Sequence, residues 1–553
     1  MNNDEKIKSH NKLYIFLKIA LTTIFSFTMF LDSSLIFVQN LRALSNEIFF
    51  SKITVKNIIV FVITWLITFL VLTIFEFVIK KIEGEIYKKD ENAETHINKP
   101  KSSIKLFFMI FGIILLMWMP YVLSYFPGGL FSDTLVSIQQ CFHYIPYNNS
   151  NPIVYTLLIK VFLTIGAMVH NYQIGIDIFG MTQVVVMAGI LSYFVCWLYK
   201  KNFSNLVLTL VVLFFGFFKL IPMYAISLWK DVPFCLALFL YIIKTIDIIY
   251  NSGEILKDKK EIAKYIILLF VVSFLRNNGL YIVLAMTLII VICYYKKKIY
   301  KFAISSLIAF ILIFAIRGPI FTKIGINSSS SGGPATGGWN AIMISQIFYT
   351  SVRDGNITPE QNELINKMCE INKLKEVYAP LLLDATTINP EFNNQYIVDY
   401  YSSIKKLWFE LLLQNPTKYV ESYLLSTLGF WDVNKAFPDA YVSNFMWPTT
   451  PTVFGVQQTD WIEKLTGQSI IDKIQVTKLY SSAIFLFIML ASMIFTVYKK
   501  NYKNLLMYLP ALFTWGTIML ATPIAFSLRY VYILVLMIPL DFIIPFLSNE
   551  KNK

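Results

Sequence analysis

One carboxylate stands out in the stretch YFPGGLFSDTLVSIQQ (125–140), because it directly follows a long apolar run. This residue, Asp133, could act as a general base that takes a proton from a hydroxyl group. The alternative is structural, since Ser132 and Asp133 are also residue types that cap the start of a helix, here TLVSIQQCF. Either role requires the apolar run to end here and a short helix to begin.

Cations recur at the corresponding ends of other apolar runs. They lie in KLIPMYAISLWKDVPF, FLRNNGLY, FAIRGPIF and FSLRYVY, and they are Lys219, Lys230, Arg276, Arg317 and Arg529. Ionisable groups at membrane depth are usually functional, so their placement on the side of Asp133 predicts one shared site. Arginine offers a planar fork and lysine a compact charge to phosphate oxygens. The set therefore predicts binding of a phosphate whose tail remains in lipid.

Each of these residues also has an ordinary structural role. Lys230 and Asp231 could form an ion pair at a helix start, which contributes little when it is exposed. Arg276 could extend its charge toward water beside a tight turn. Arg317 and Arg529 could be interfacial anchors, the commoner role of arginine at helix ends. For Arg276 we favour phosphate binding, because a turn needs no arginine.

Composition indicates which elements hold these residues. Of 553 residues, 56% are hydrophobic and only 15% are charged, which is typical of a polytopic membrane protein. About 20 apolar residues cross the hydrocarbon core, and such runs lie near 13–31, 57–79, 106–125, 174–198, 204–222, 232–250, 302–321, 479–498, 505–521 and 529–546. Two shorter runs, 265–275 and 280–295, flank RNNG and predict a tight helical hairpin. We therefore predict an all-α polytopic membrane protein with about twelve transmembrane helices.

Lysine-rich segments set the predicted orientation. They lie at 81–105, 199–201, 257–264, 296–298, 499–503 and 549–553. With twelve crossings and cytoplasmic N- and C-termini, all of them fall on the cytoplasmic side, as the positive-inside rule requires. The run 151–170 would break this order, so we predict an amphipathic helix in the outer interface, with a true crossing as the alternative. The net charge of +14 follows from these segments, and no nucleic-acid partner is expected.

The positions of the apolar runs divide the chain into three parts. Residues 1–321 form an N-terminal transmembrane module with a catalytic external loop at 126–173, and residues 479–553 form the C-terminal transmembrane helices. Between them, residues 322–478, here called the external segment, predict a mainly helical external domain. Its Gly-rich stretch NSSSSGGPATGGWN (327–340) predicts a flexible linker, with a mobile lid as the alternative. The aromatic stretch at 429–447 suits either sugar stacking or packing against the bilayer.

Four motifs, GLFSDT, SNPIVYTLL, AISLWKDVPF and LRNNGLY, resemble the GT-C superfamily of integral-membrane glycosyltransferases. The likeness covers about residues 105–320 and is strongest to a poorly characterised, mostly Gram-positive multi-pass family. It implies a bacterial plasma-membrane enzyme that transfers sugar, with inversion, from a polyprenyl-phosphate donor at the outer face. The acceptor would be a cell-envelope glycan, teichoic acid or glycolipid. The resemblance makes Asp133 the catalytic base, and Lys230 and Arg276 donor phosphate-binding residues. We add Arg529 to the predicted phosphate-binding residues, although it lies outside the matching motifs.

The remaining residues of the predicted site line its groove or contact the acceptor. They are Asn151, Tyr155, Asp231, Asn277, Asn278 and Arg317. GT-C enzymes often carry paired acidic residues where Asp133 is here followed by Thr134. One carboxylate is a poor site for a hard cation that takes several oxygen ligands. No metal ligand is therefore predicted, although the resemblance leaves a divalent cation open.

Two other classes of function compete with this interpretation. A transporter or lipid flippase usually places its binding groups near the bilayer midplane on broken helices, whereas these charges lie at helix ends. A polysaccharide polymerase or ligase would share the chemistry but would use a lipid-pyrophosphate glycan. It would also depend on arginines without a single essential aspartate.

Overall fold

Apolar runs form helices throughout this chain, because in lipid each backbone N–H and C=O group must be bonded within its own segment. The computed structural model describes residues 3–87, 104–149, 151–297, 299–326, 339–436, 455–476, 480–521 and 524–547. Within these ranges the only β-ladder has two residues per strand, β1 (Leu35–Ile36) antiparallel to β2 (Phe49–Phe50). The predicted all-α class is confirmed. Residues 327–338 of the predicted linker or lid and 437–447 of the aromatic stretch lie outside the described residues.

The N-terminal part contains thirteen described helices, several of them short. They are α1 (Asn3–Ser34), α2 (Val55–Ile86), α3 (Ile104–Ser124), α4 (Ser132–Cys141), α5 (Ile153–Met168), α6 (Tyr172–Lys200), α7 (Asn205–Phe217), α8 (Leu220–Ala225), α9 (Asp231–Tyr250), α10 (Lys259–Leu275), α11 (Gly279–Tyr294), α12 (Tyr300–Ala315) and α13 (Phe321–Lys323). A 3₁₀ turn, Glu254–Lys257, precedes α10, and a π-helical turn, Ile316–Ile320, joins α12 to α13.

The external segment and the C-terminal part supply twelve more described helices. In the external segment they are α14 (Trp339–Val352), α15 (Pro359–Met368), α16 (Ile371–Val377), α17 (Leu383–Thr387), α18 (Asn394–Asp399), α19 (Tyr401–Gln414), α20 (Pro416–Ser426), α21 (Trp461–Thr466) and α22 (Ile471–Ile474). The C-terminal part has α23 (Ser482–Tyr498), α24 (Leu509–Leu520) and α25 (Ile533–Ile543). Its 3₁₀ turns are Tyr502–Met507, Leu528–Val531 and Ile544–Phe546, and another, Leu428–Phe430, follows α20.

Seven described helical stretches are long and apolar enough to cross a membrane. They are Asn11–Ser34, Val55–Lys81, Ile104–Ser124, Tyr172–Lys200, Asp231–Tyr250, Tyr300–Lys323 and Leu528–Phe546. Five shorter apolar helices accompany them: Ile153–Met168, Asn205–Phe217, Gly279–Tyr294, Ser482–Tyr498 and Leu509–Leu520. The count of about twelve crossings therefore stays a prediction, as does the interfacial position of α5.

Segments next to the lysine clusters meet at one end of the helices. The Tyr87 hydroxyl, after α2, donates to the Phe546 carbonyl at 2.7 Å, and the Tyr250 hydroxyl, at the end of α9, donates to Leu547 at 2.7 Å. Residue 231 begins α9 and therefore lies at the opposite end. The predicted orientation requires this separation, because it keeps the basic segments away from the predicted site.

The external segment packs against the end of the bundle that carries Asp231. Lys219 Nζ donates to the backbone carbonyls of Lys473 at 3.0 Å and Gln475 at 3.1 Å. The Gly429 N–H donates to the Ala525 carbonyl at 2.8 Å. These bonds hold the external segment to the N-terminal and C-terminal helices together.

The predicted hairpin at RNNG is confirmed, since α10 ends at Leu275 and α11 begins at Gly279. A Cβ atom at Gly279 would lie 2.1 Å from the Val272 carbonyl oxygen, far inside van der Waals contact. Only glycine lets the two helices approach this closely. The turn between them, which includes Arg276, is positioned by this contact.

We predict that Gly279→Ala lowers the free energy of unfolding by roughly 1–3 kcal/mol, because the added methyl group overpacks a closed contact. Gly189→Ala is the matched control, since Gly189 also lies in a long helix and has open space where its Cβ would be. Thermal unfolding of both variants in the same detergent measures the difference. Equal melting temperatures would contradict the close approach.

Candidate functional site

Asp133 lies in the first turn of the short helix α4. The helix begins at Ser132, and Phe131 occupies the N-cap position without a side-chain cap. The alternative that Asp133 serves only as the N-cap is therefore wrong. A carboxylate in the first turn still interacts favourably with the positive end of the helix dipole.

The Asp133 carboxylate is held by two cations from distant parts of the chain. Its Oδ2 lies 3.0 Å from Lys230 Nζ and 2.8 Å from Arg529 Nη1. Lys230 immediately precedes α9, and Arg529 lies in the 3₁₀ turn before α25. The Asp133 side chain is 25% exposed, so this cluster can be reached from outside the protein.

Asn151 completes the contacts of Lys230. Its Oδ1 accepts a hydrogen bond from Lys230 Nζ, and its Nδ2 donates to the Asp133 backbone carbonyl at 2.9 Å. Asn151 lies just before α5, so it ties that helix to α4 and α9. The predicted role of Asn151 in the groove or in acceptor contact stays a prediction.

A second ion pair lies behind the first. Asp231 is completely buried, and its Oδ1 lies 3.0 Å from Arg276 Nη1. Its Oδ2 lies 3.9 Å from Arg529 Nη1, which also contacts Asp133. The alternative of an exposed pair between Lys230 and Asp231 is wrong, because Lys230 pairs with Asp133 and Asp231 with Arg276.

Arg276 is buried as well, with 8% of its side chain exposed, so it does not extend into water. Its Nη1 donates to the Tyr530 carbonyl at 2.8 Å, and its guanidinium lies 5.0 Å from the centroid of the Tyr530 ring. Arg276 thus joins the α10–α11 turn to the start of the last helix. Arg276 therefore holds the backbone of the residue that follows Arg529.

The cluster carries one excess positive charge. Its cations are Lys230, Arg276 and Arg529, and its carboxylates are Asp133 and Asp231. Burial would raise the pKa of Asp133, but the charges and hydrogen bonds of Lys230 and Arg529 outweigh it and hold that pKa well below its usual value. Asp133 is therefore an anion at neutral pH, and it neutralises only part of the cationic charge.

Aromatic rings border the cations. Trp229 stacks on Phe131, with ring centroids 3.7 Å apart. The Arg529 guanidinium lies 4.9 Å from the Trp229 ring centroid and 4.9 Å from that of Tyr530. Such cation–π contacts fix the plane of the guanidinium. They also place an apolar surface directly beside the charged groups.

Arg317 and Asn277 form a separate polar group next to the cluster. Arg317 Nη2 donates to Asn277 Oδ1 at 2.6 Å, and its Nη1 donates to the Ser273 carbonyl at 2.6 Å. Asn277 Nδ2 donates to the Asn149 carbonyl at 2.8 Å, which connects this group to the loop before α5. These bonds join the hairpin turn to that loop and do not involve Asp133.

The other predicted residues have structural contacts. Tyr155 is completely buried and its hydroxyl donates to the Leu228 carbonyl at 2.7 Å, so it supports the segment before Lys230 rather than lining a groove. Asn278 Nδ2 donates to Thr517 Oγ1 at 3.2 Å, on α24. Lys219 binds the external segment. Of the predicted cations, the structure brings together Lys230, Arg276 and Arg529.

The structure adds a residue that sequence reasoning missed, Asp384 of α17. Two backbone contacts hold this part of the external segment to the chain before Arg529: Leu382 forms an isolated bridge with Ile524, and Ala525 N donates to the Leu381 carbonyl at 2.9 Å. Asp384 is close enough to Asp133 and Arg529 to interact electrostatically with both. The only signal in the sequence is a lone carboxylate in the short apolar stretch LLLDATT.

These carboxylates do not suit a divalent cation. Among the residues that the structure describes, no group of three or more His, Cys, Asp or Glu side chains could hold a metal ion. The accessible carboxylate, Asp133, already has Lys230 and Arg529 at one oxygen. The two cations beside this oxygen would repel a metal ion.

We predict that Arg276→Met lowers the free energy of unfolding by roughly 3–5 kcal/mol, because it leaves the buried Asp231 without its nearest cation. The double variant Arg276→Met/Asp231→Asn is expected to recover part of this loss. Arg42→Met, at an exposed arginine, is the control. Denaturant unfolding in detergent compares them, and a single-variant loss no larger than that of the control would refute the pairing.

Comparison with known proteins adds the chain's family. No curated protein and no solved structure gives a significant match. A family model described as a family of unknown function (DUF6020) matches residues 143–553, well over half of the chain. The matched part contains Lys230, Asp231, Arg276, Asp384 and Arg529, and it begins ten residues after Asp133. The chain belongs to the family of unknown function DUF6020.

Proposed function

We propose that this protein is a GT-C-like glycosyltransferase that moves a sugar from a polyprenyl-phosphate carrier to a hydroxyl group of a cell-envelope acceptor. The observation that carries the proposal is the convergence of Lys230 and Arg529 on one oxygen of the partly exposed Asp133 carboxylate. Both cations lie at the start of helices apolar enough to cross a membrane. Charged groups in such places are costly to maintain, which favours a functional role.

The charge of the cluster matches this class of donor. A polyprenyl-phosphate sugar is a phosphodiester with one negative charge, and the five ion-paired side chains of the cluster have one excess positive charge. The nearby Asp384 adds a negative charge when it is ionised. The site therefore has no excess positive charge for the second negative charge of a lipid-pyrophosphate glycan, which favours a monophosphate donor over the polymerase or ligase alternative.

The position of the cluster suits a lipid-linked substrate. Lys230 and Arg529 bind the phosphate oxygens of the donor, Arg529 by its planar fork and Lys230 as a point charge. The stacked rings of Trp229 and Phe131 supply an apolar surface beside the phosphate. The polyprenyl chain then runs along apolar helices into the bilayer.

The transfer is an inverting displacement at the anomeric carbon. The acceptor oxygen bonds to this carbon from the face opposite the phosphate, and the bond from carbon to phosphate oxygen breaks. The leaving phosphate keeps the electron pair, and Lys230 and Arg529 stabilise the charge that develops on it. The hydroxyl proton passes to a carboxylate of the site, which is the role predicted for Asp133.

The acceptor reaches the site from the external segment, which packs against this end of the helices. In the predicted orientation this is the outer face of a bacterial plasma membrane. A cell-envelope glycan, teichoic acid or glycolipid presents hydroxyl groups there. The partners are thus the lipid-linked donor, such an acceptor and the bilayer itself.

A transporter is the second candidate, and one observation favours it. Asp541 of α25 is buried, and neither of its carboxylate oxygens has a hydrogen-bond partner among the described residues. It borders an apolar cavity of about 580 Å³ between α2, α7, α23 and α25. Carboxylates inside transmembrane helices commonly mark ion or substrate pathways.

We predict that the purified protein releases polyprenyl phosphate from at least one radiolabelled polyprenyl-phosphate sugar in the presence of cell-envelope acceptors. Lys230→Met and Arg529→Met should each weaken donor binding roughly tenfold to a hundredfold, because each removes a charged hydrogen bond. Binding is measured with the same labelled donors in nanodiscs.

Arg42→Met is the matched control, because Arg42 is an exposed arginine in the loop between β1 and β2. Unchanged donor binding in the two site variants would contradict the phosphate assignment. Protein that consumes no donor, yet moves lipid or solute across vesicles in a manner abolished by Asp541→Asn, would replace the enzyme proposal by transport.

A further inference from the structure

The position of Asp384 brings a third carboxylate to the site. Backbone contacts at Leu381 and Leu382 hold its short helix to the residues that lead into Arg529. Asp384 lies near enough to Asp133, Arg529 and Tyr530 to interact with them electrostatically, although it forms no ion pair with Arg529. It is the carboxylate that the external segment contributes to this cluster within the described residues.

Asp384 differs from Asp133 in its bonding. Both Lys230 Nζ and Arg529 Nη1 contact Asp133 Oδ2, so a proton on this oxygen would displace an ion pair, and the two charges lower the basicity of the whole carboxylate. Among the described residues, no side chain or N–H group donates a hydrogen bond to the Asp384 carboxylate. The side chain is partly exposed. It can therefore contact a hydroxyl group without first breaking an ion pair.

We propose that Asp384, rather than Asp133, takes the proton from the acceptor hydroxyl in the glycosyl transfer. This inference rests on the proposed function. Asp133 then has a different task, since it holds Lys230 and Arg529 in the arrangement that receives the donor phosphate. Asp384 thus replaces Asp133 as the proposed base.

The step balances in charge and atoms. The acceptor oxygen gains the bond to the anomeric carbon, its proton moves to Asp384, and the phosphate leaves with the electron pair of the broken bond. The donor phosphate changes from one negative charge to two, while Asp384 changes from one negative charge to none. Asp384 then returns the proton to water. No oxidant, reductant or metal enters the step.

The acidity of Asp384 suits this task. Burial and the neighbouring Asp133 raise its pKa to about 6, and Arg529 opposes the rise. A general base works best when its pKa is near the working pH. Asp133 is the weaker base of the two, because its two cations hold its pKa well below the usual value. The charged and titratable groups that face Asp384 from other elements are Asp133, Arg529 and Tyr530.

The inference also gives the external segment a part in the chemistry. Its α17 carries the base, while the N-terminal and C-terminal helices carry the phosphate-binding cations. Donor and acceptor would thus be held by different parts of the chain. Acceptor bound on the external segment would meet the donor only at Asp384.

The test compares Asp384→Asn and Asp133→Asn with wild type in nanodiscs, using the labelled donor that wild type consumes. Removal of a general base typically costs a factor of 10²–10⁴ in rate. We expect Asp384→Asn to lose turnover by that factor while it keeps donor binding within about threefold of wild type. Asp384→Glu should restore part of the activity. Asp399→Asn, at an exposed aspartate of α18, is the matched control.

The pH dependence separates the two carboxylates. Wild-type turnover should rise with pH through about 6, because Asp384 must lose its proton to act as a base. Asp133→Asn should keep a rise but at lower pH, because it removes a negative charge that raises the Asp384 pKa, whereas the residual activity of Asp384→Asn should lack the rise. Full turnover by Asp384→Asn, with the rise retained, would overturn the inference.

Failure of the proposed function gives a different result. Wild type would then release no polyprenyl phosphate from any donor, and the inference would fall with it. If wild type turns over without a rise near pH 6 and Asp133→Asn loses turnover while Asp384→Asn keeps it, the proposed function stands and Asp133 is the base. Donor binding verifies in each case that the variant is folded.

Discussion

Asp231 is a fully buried carboxylate at the start of a helix apolar enough to cross a membrane, and it requires a cation there. An unpaired charge in such surroundings costs several kcal/mol. Arg276 meets this requirement and also donates to the Tyr530 carbonyl, so one electrostatic need joins α9, the α10–α11 turn and the last helix. The accessible part of the site is built on this buried pair.

The charges of the site alternate in sign from the interior to the surface. Arg276 neutralises Asp231, Arg529 lies between Asp231 and Asp133, and Lys230 contacts Asp133 from the other side. The inner pair is closed to solvent, whereas the outer group is open to it. Stability depends mainly on the inner pair, whereas the proposed donor binding depends on the outer group, and Arg529 contacts members of both.

Sequence reasoning found the all-α class, the hairpin at RNNG and the convergence of Lys230, Arg276 and Arg529, because apolar length and cations at helix ends are local features. Its count of about twelve crossings stays a prediction. It could not separate these cations from Lys219 and Arg317, which occur in the same pattern. The depth of a residue in the membrane can be inferred from its position in an apolar run. Which neighbouring helix its side chain faces depends on helix packing, which the sequence does not show. Asp384 was missed because it lies in a short helix of the external segment, where no periodic pattern relates it to Asp133.

The Arg529–Asp133 contact joins residues 396 positions apart in the chain. A ribosome therefore completes Asp133 and Lys230 long before it adds the arginine that they require. Until the last helix is inserted, a nascent chain holds neither the outer cluster nor the full neutralisation of Asp231. A product truncated before this helix would lack Arg529 and would be destabilised at its buried carboxylate, which makes it a suitable target for membrane quality-control proteases.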